Sequence, residues 1–560
     1  VTRLVECVPN FSEGRDRPVI DKICAEVEGV EGARLLDVDP GAATNRTVVT
    51  FAGPPEAVAE AAFRAIRRAA ELIDMSRHRG EHPRIGATDV CPFVPLAGVT
   101  MADCVALARE VGRRVGEELG IPVFLYEEAA LRPERRALSE IRQGEYEGLP
   151  EKLRDPAFRP DFGPAAFNAR AGATVVGARE FLIAYNVTLN TKDRRLAQEI
   201  ASMIREGGRA AKGPDGRPLR DASGNTVRVA GTLKAVRATG WYIAEYGRAQ
   251  VSINLTNYRV TPPHAAFEEV CRLAETLGLR VTGSEIVGLV PLEAILMAGR
   301  HYRARQGRSP AAPEPELVEM AVQSLGLGDV APFDPAKKII EYRVREEGGL
   351  PARTLGAFLD ALAADTPAPG GGSAAALCGA LAAALAAMVA GITYARRDAE
   401  PNREELARLG AEAHRLKDAL LAAVQEDADA FEAMMAARRI KPATPEEKAA
   451  REEALRRATL RAIESPLAVM RAASEVLGAA AAVEKVGAAS AASDVGVAAA
   501  AALAAVEGAF DNVLINLPGL DDASRAGSLR LEAEAILGAA RKAADGLRER
   551  VRRETGTPAA

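Results

Sequence analysis

No two cysteines in this chain are spaced CxxC. The six, Cys7, Cys24, Cys91, Cys104, Cys271 and Cys378, are scattered. That argues against a zinc ribbon or a dense disulfide framework and leaves reduced thiols in a cytoplasm as the expectation. An excess of basic charge is missing too. The 72 basic and 77 acidic residues give a formal net charge of −5, without the footprint of a nucleic-acid binder. The first residues, Val1-Thr2-Arg3-Leu4-Val5-Glu6, read as a short strand and not as a secretory signal. One uncharged run, Ala368–Ala395, is long enough to cross a bilayer. Its bulk is alanine and glycine, which gain little from lipid and suit a tightly packed central helix, so no membrane span is expected.

What is present is globular in balance, with 48% hydrophobic and 27% charged residues over 560 positions. At roughly one domain per 150 residues, several domains are expected. The first block reads as strand (Arg3–Val8), helix (Arg17–Glu28), strand (Ala33–Asp39), strand (Arg46–Ala52), helix (Pro54–Asp74) and strand (Val90–Val94). That order is the split βαβ of ferredoxin-like domains. A helix (Thr100–Leu119) and a strand (Ile121–Tyr126) follow. A second block repeats the order: strand Phe181–Asn190, helix Lys192–Glu206, strands Val236–Ala244 and Gln250–Leu255, helix Pro263–Leu277, strand Arg280–Val287. Within it, Gly207–Asn225 reads as a mobile loop rich in Gly, Lys, Arg and Pro.

Composition changes after Tyr342. Beyond the charged stretch Arg343–Arg353, helical spacing replaces alternation. Helices are expected at Leu355–Ala364, Ser373–Ala395, Arg403–Arg438, Pro445–Gly478, Val495–Leu517 and Ser524–Thr555. The expected architecture is therefore two ferredoxin-like α/β subdomains, 1–179 and 180–329, a linker at 330–353, and an all-α bundle at 354–560.

Only five histidines exist, and two lie in Met75-Ser76-Arg77-His78-Arg79-Gly80-Glu81-His82-Pro83-Arg84-Ile85-Gly86. The spacing His78-x-x-Glu81-His82 formally matches an inverted zinc-protease motif, but Gly80 and Pro83 disfavour the helix that motif needs. A loop histidine among arginines instead suits a general base in an anion pocket, or else a solvated surface loop. Asp37-Val38-Asp39 and Thr44-Asn45-Arg46-Thr47 flank a turn, and Asn10 and Ser12 follow a strand end. Either loop could hold a ligand or serve as turn chemistry alone.

In the α block, Ala368-Pro369-Gly370-Gly371-Gly372-Ser373 precedes the alanine-rich helix. Its glycines and helix N-terminus suit an anion, and Ser373 suits an N-cap equally well. Asp427 falls in the apolar stripe of Leu416, Leu420, Val424, Phe431 and Met434. A core-facing carboxylate is costly, and burial raises its pKa toward acid–base use, unless it is a structural ion pair. Asp494 interrupts another alanine run, and Asn512 and Asn516, four apart, share a helix face that could meet a flat heterocycle or a neighbouring helix.

Together these runs resemble the formimidoyltransferase-cyclodeaminase family. The resemblance is carried by Leu4–Gly14, Leu35–Asp39, Thr44–Val48, Ile73–Arg84, Gly163–Gly172, Phe181–Asn186, Val287–Leu292, Ala368–Ser373, Asp427–Phe431 and Asn512–Leu517, in the family's order. It implies transfer of a formimino group from formiminoglutamate to tetrahydrofolate, then cyclisation with loss of ammonia, in histidine breakdown and one-carbon metabolism. It implies His82 as transferase general base and Asp427 as cyclodeaminase acid–base group. Folate contacts are implied at Gly163, Pro164, Ala165, Ala166, Phe167, Asn168, Ala169, Arg170, Ala171 and Gly172. Asp39, Arg46, Gly371, Gly372, Ser373, Asp494, Asn512 and Asn516 are further candidate ligand contacts. Tetrahydrofolate, polyglutamylated in this family, is implied as co-substrate, with no metal and with assembly into a homo-oligomer. A transferase using formylglutamate, or a folate-binding scaffold with degenerate sites, are the alternatives, and a turnover assay separates the three.

Overall fold

The computed structural model describes residues 3–41, 45–80, 83–211, 213, 217–221, 225–243, 246–329, 332–344 and 348–556. Packing divides the chain into two units. One is Val1–Met297 with Val322–Arg345, and the other is Ala298–Ala321 with Glu346–Ala560.

The first unit carries two principal sheets. In the larger, Arg34–Gly41 pairs with Arg46–Gly53, which pairs with the interrupted strand Leu4–Cys7 and Asn10–Phe11, which pairs with Thr88–Ala97, all antiparallel. Thr174–Ala178 then adds in parallel to Thr88–Ala97, and Val123–Glu127 adds in parallel beyond it. Its helices start and stop where local chemistry dictates. Asp16 caps Arg17–Glu28 by accepting from the Val19 amide, and Thr100 and Asp103 form a reciprocal capping box for Met101–Leu119. Gly120, at φ 63, ends that helix in the left-handed region open to glycine. Phe11, Phe51, Ile66 and Phe93 are buried in the core between sheet and helices.

The second sheet runs Val236–Ile243, Arg248–Leu255, Ile183–Leu189, Val281–Val287, again antiparallel throughout. Its spatial order (second, third, first, fourth strand in chain order) equals that of the first four strands of the larger sheet. Helices Arg194–Ile204 and Pro263–Thr276 complete the repeat. Within Gly207–Asn225, residues 212, 214–216 and 222–224 lie outside the described residues. Arg209–Ala210 in that stretch pairs with Arg228–Val229 just beyond it.

Three kinds of element were missed by sequence periodicity. The strand Thr174–Ala178 is only five residues long and follows a glycine-rich loop, so alternation has too little length to register. Leu138–Arg142 and Glu145–Lys152 are helices too short to show a stripe. Leu292–Arg305 and Glu314–Leu325 are longer, and residues 298–321, expected in the second α/β subdomain, pack with the second unit.

That unit is built from Leu355–Ala363, Gly371–Tyr394, Arg403–Arg439, Pro445–Val486, Ala492–Asn516 and Ala523–Gly556. Gly371–Tyr394 packs against the three helices that follow it. Its buried side is alanine (Ala376, Ala380, Ala383, Ala386, Ala390), and such short side chains let helix axes approach closely. Among the described residues three helices are long and apolar enough to cross a membrane. In the most apolar, Gly371–Tyr394, mean hydropathy reaches 2.2 and 56% of the apolar window is buried inside the unit. Pro445–Val486 continues past Gly478, where a helix end was expected. The propensity cost of about 1 kcal/mol for an interior glycine is outweighed there by burial of Ala479, Ala480 and Val483.

Candidate active sites

In the first unit, His82 and Glu81 lie outside the described residues, but the residues around them form a connected network. Arg84 is buried and binds Glu145 at 2.9 Å and Glu147 at 2.7 Å. The Arg84 guanidinium holds the Glu147 carboxyl down at about 2. Arg84 Nε also donates to His78 Nδ1 at 3.3 Å, so Nδ1 is an acceptor. The proton then sits on Nε2, which donates to the Asn45 carbonyl at 2.8 Å. With both nitrogens engaged, and burial lowering its pKa, His78 is a neutral structural histidine.

Asn45 ties the same run to the hairpin after Asp39. At φ 49 it occupies the left-handed region that its short polar side chain tolerates. Its Oδ1 accepts from the Gly14 amide at 3.0 Å and its Nδ2 donates to the Arg79 carbonyl at 2.9 Å. Asp39 is exposed on the hairpin, and Arg46 is half-buried at its end. Burial lowers the Arg46 pKa, against the opposing pull of Asp89 and Asp39. Its Nε is buried and has no hydrogen-bond partner among the described residues.

The stretch Gly163–Gly172 meets the histidine run directly. Gly86 and Gly172 form a bridge pair. A Cβ on Gly86 would lie 2.0 Å from the Ala173 oxygen, and one on Gly172 would lie 2.2 Å from the Ile85 oxygen, so both positions require glycine. Asn168 organises the turn, its Oδ1 accepting from the Ala171 and Arg170 amides at 2.9 and 3.2 Å. The Arg170 carbonyl accepts from the Met75 amide at 2.9 Å. Gly163, Pro164, Ala165, Ala166, Phe167, Ala169 and Arg170 are exposed, while Ala171 is buried. Tyr146 supports the loop from below, its hydroxyl donating to the Ala169 carbonyl at 2.6 Å and its ring 5.4 Å from that of Phe167.

Sequence reading missed Glu145, Tyr146 and Glu147, which lie about sixty positions from Arg84 and carry no local signature. It also missed a cavity of about 740 Å³ that opens beside Pro83, with Tyr126, Arg136, Arg142, Gly144, Arg179 and Arg237 among its walls.

In the second unit, Asp427 rests on the glycine run. A Cβ on Gly372 would lie 2.0 Å from Asp427 Oδ1, so the carboxylate sits where only glycine leaves room. The Ser373 hydroxyl, fully buried, is 2.9 Å from the Val424 carbonyl and 3.1 Å from Asp427 Oδ2. A hydroxyl has one proton. If it goes to Val424, the contact with Asp427 is a hydrogen bond only when Asp427 is protonated and donates. Burial raises the Asp427 pKa, with Ser373 pulling the other way, which favours that protonated form. Of the expected stripe, Leu416, Leu420, Val424 and Met434 are buried and Phe431 is half-buried.

Gly371 faces Asn512, whose Nδ2 would be 3.6 Å from an added Cβ. Asn512 Nδ2 donates to the Gly508 carbonyl at 2.7 Å. Asn516 Nδ2 donates to the Asn512 and Ala462 carbonyls at 2.9 and 3.1 Å. Ala462 is the acceptor that Pro466, lacking an N–H, cannot serve in its own helix, so Asn516 repairs that gap. Asp494 does not join the group. It sits in the first turn of Ala492–Asn516, and at 1.5 Å per residue it is roughly 27 Å along the helix from Asn512. Among the described residues no group of three or more His, Cys, Asp or Glu could hold a metal.

An α/β unit with a histidine run locked against a glycine-bounded loop, joined to a helical unit with a half-buried carboxylate on a glycine cradle, presents two candidate sites on one chain, the arrangement of a bifunctional enzyme. Residues 4–179 match the formiminotransferase domain, N-terminal subdomain, 184–345 the formiminotransferase domain, and 354–535 the formiminotransferase-cyclodeaminase model. The formimidoyltransferase-cyclodeaminase of Gallus gallus is 45% identical over 525 residues, covering 93% of this chain and 94% of its own. A glutamate formimidoyltransferase from Thermoplasma acidophilum is 45% identical over 306 residues, 54% of this chain and 93% of its own. The crystal structure of formiminotetrahydrofolate cyclodeaminase from Thermotoga maritima aligns at 27% identity and a TM-score of 0.31, covering 36% of this chain and 95% of that one. The chain belongs to the formimidoyltransferase-cyclodeaminase family.

Proposed function

We propose that the first unit moves the formimino group of N-formiminoglutamate onto N5 of tetrahydrofolate, and that the second closes the product to 5,10-methenyltetrahydrofolate. In the first step N5 attacks the formimino carbon while His82 takes the N5 proton. The tetrahedral intermediate collapses with glutamate as leaving group, and the proton returns to its nitrogen. In the second step N10 attacks the same carbon and its own proton passes to the formimino nitrogen. Protonated Asp427 supplies the second proton, and the C–N bond breaks to release ammonia and leave the methenyl cation. The observation that carries this reading is the carboxyl of Asp427, half-buried on Gly372 and raised in pKa by desolvation. Both α/β halves read as ferredoxin-like on the strand order they share, with divisions near 179, 329 and 353. Polyglutamylated folate is the proposed natural co-substrate. Exposed Leu381, Met388 and Ile392 on one helix face support a homo-oligomer.

The test is a pair of variants in the full chain. His82→Ala should cut transfer by about a hundred- to ten-thousand-fold while sparing cyclodeamination of supplied 5-formiminotetrahydrofolate. Asp427→Asn should do the reverse while still folding. Normal ammonia release with a lowered unfolding temperature in Asp427→Asn would show the carboxylate to be structural.

A further inference from the structure

We propose that Arg179 and Arg237 bind the two carboxylates of the formimino donor, and so select a glutamate-derived donor. This rests on the transferase reading of the first unit. Four arginines line the cavity beside Pro83, the residue after His82: Arg136, Arg142, Arg179 and Arg237. Two are already neutralised. Arg136 pairs with Glu128, and Arg142 pairs with Asp89, which is 1% exposed. The cavity's Glu145 is likewise taken, by Arg84. Arg179 hydrogen-bonds the Glu180 carbonyl at 3.0 Å and the Tyr126 phenol, and forms no ion pair among the described residues, although its charge pulls on the buried Glu6 carboxyl, which burial keeps raised to about 8. Arg237 has no carboxylate within ion-pair distance among the described residues. Glu127, the remaining acid on the wall, forms no ion pair with either, and burial raises its pKa, against the pull of Arg136, Arg179 and Arg237.

Both cations stand on rigid supports. Arg179 directly follows the strand Thr174–Ala178, its amide donating to the Phe93 carbonyl at 3.1 Å. Arg237 lies in Val236–Ile243, in register with Asn254. Two guanidinium forks carried on different sheets and lining one cavity match a ligand with two carboxylates held a short chain apart. A glutamyl group has that chemistry. It could come from the donor or from the glutamyl end of the folate. The cavity's place beside Pro83 favours the donor, whose carboxylates lie a few bonds from its reacting carbon, whereas the folate glutamate lies at the far end of that molecule from N5.

The experiment is steady-state transfer by the full chain and by Arg237→Gln and Arg179→Gln, varying formiminoglutamate and tetrahydrofolate separately. Wild type is also assayed with the γ-amide of the donor. Loss of a charged hydrogen-bonded partner is expected to raise the donor KM roughly ten- to a hundredfold. The tetrahydrofolate KM should stay within about threefold, and wild type should penalise the γ-amide more than the variant that lost its γ-carboxylate partner. Arg237 is exposed, so its variant should fold, and cyclodeamination of supplied 5-formiminotetrahydrofolate checks this in the same preparation. A raised tetrahydrofolate KM with an unchanged donor KM would assign the pair to the folate glutamate and overturn the proposal. So would a fall in kcat with both KM values unchanged. Absence of transfer in wild type would instead strike at the transferase reading.

Discussion

Replacing Gly372 by alanine separates a catalytic role for Asp427 from a structural one. The added Cβ would lie 2.0 Å from Asp427 Oδ1, 2.5 Å from its Cγ and 2.7 Å from Oδ2. All three atoms belong to the end of one side chain, so the clash is relieved by swinging the carboxylate away, and no backbone need move. The stability cost is then the lost contact with Ser373, about 1 kcal/mol, set against about 0.5–1 kcal/mol gained when alanine replaces glycine in a helix. Those terms nearly cancel, and the unfolding temperature should hardly change. Activity should not survive as well. A displaced acid leaves its Ser373 partner and the departing nitrogen together, and a misplaced general acid forfeits about a hundred- to ten-thousand-fold in rate. Gly371→Ala is the steric control, since its nearest atom would be Asn512 Nδ2 at an ordinary 3.6 Å, and its fold should be equally stable. Ammonia release and thermal unfolding are measured on one preparation of each. Gly372→Ala with wild-type ammonia release would refute the placement of Asp427 as the acid.

Glu6 is 2% exposed, and burial pushes its carboxyl up to about 8 from an ordinary 4.5. Between those values the unfolded chain gives up its proton first, so stability should fall as pH rises through that window, by up to roughly 5 kcal/mol. Glu6→Gln should flatten this slope in urea midpoints taken at pH 5 and pH 8.5, and parallel slopes would contradict it. Asn516→Ala should cost about 1–3 kcal/mol by leaving the Ala462 carbonyl unpaired. Adding Pro466→Ala should recover part of it by restoring the missing N–H, so simple additivity in denaturation of the four proteins would break the link.

Most element positions were legible because they rest on local chemistry. The helix Arg17–Glu28 coincides with its expectation because Asp16, Pro18 and Gly29 mark its ends within the sequence itself. Asp427 was legible for a related reason, as a carboxylate in an apolar stripe is an anomaly that needs no knowledge of its neighbours. Arg84 was visible in the histidine run, but its partners Glu145 and Glu147 were not, because charge pairing across sixty positions leaves no periodic trace. The same holds for Arg179 and Arg237, which only the two sheets together bring to one cavity.

Asn512 and Asn516 mark the limit more sharply. Their spacing correctly placed two amides on one helix face, and chemistry allowed either a heterocycle or a neighbouring helix as the partner. For Asn516 the structure supplies the neighbouring helix, through a carbonyl that Pro466 leaves without a donor. The helix expected at Pro445–Gly478 runs straight through that proline, yet a proline inside a helix frees a carbonyl, and a buried carbonyl demands a compensating donor. The two anomalies meet at one hydrogen bond, from Asn516 Nδ2 to the Ala462 carbonyl that Pro466 cannot serve. A proline inside an otherwise strong helical pattern is thus a reason to look elsewhere for an unassigned amide before giving that amide to a ligand. The same reasoning leaves Asn512 as the stronger ligand candidate of the pair, because it faces Gly371 beside the Asp427 cradle.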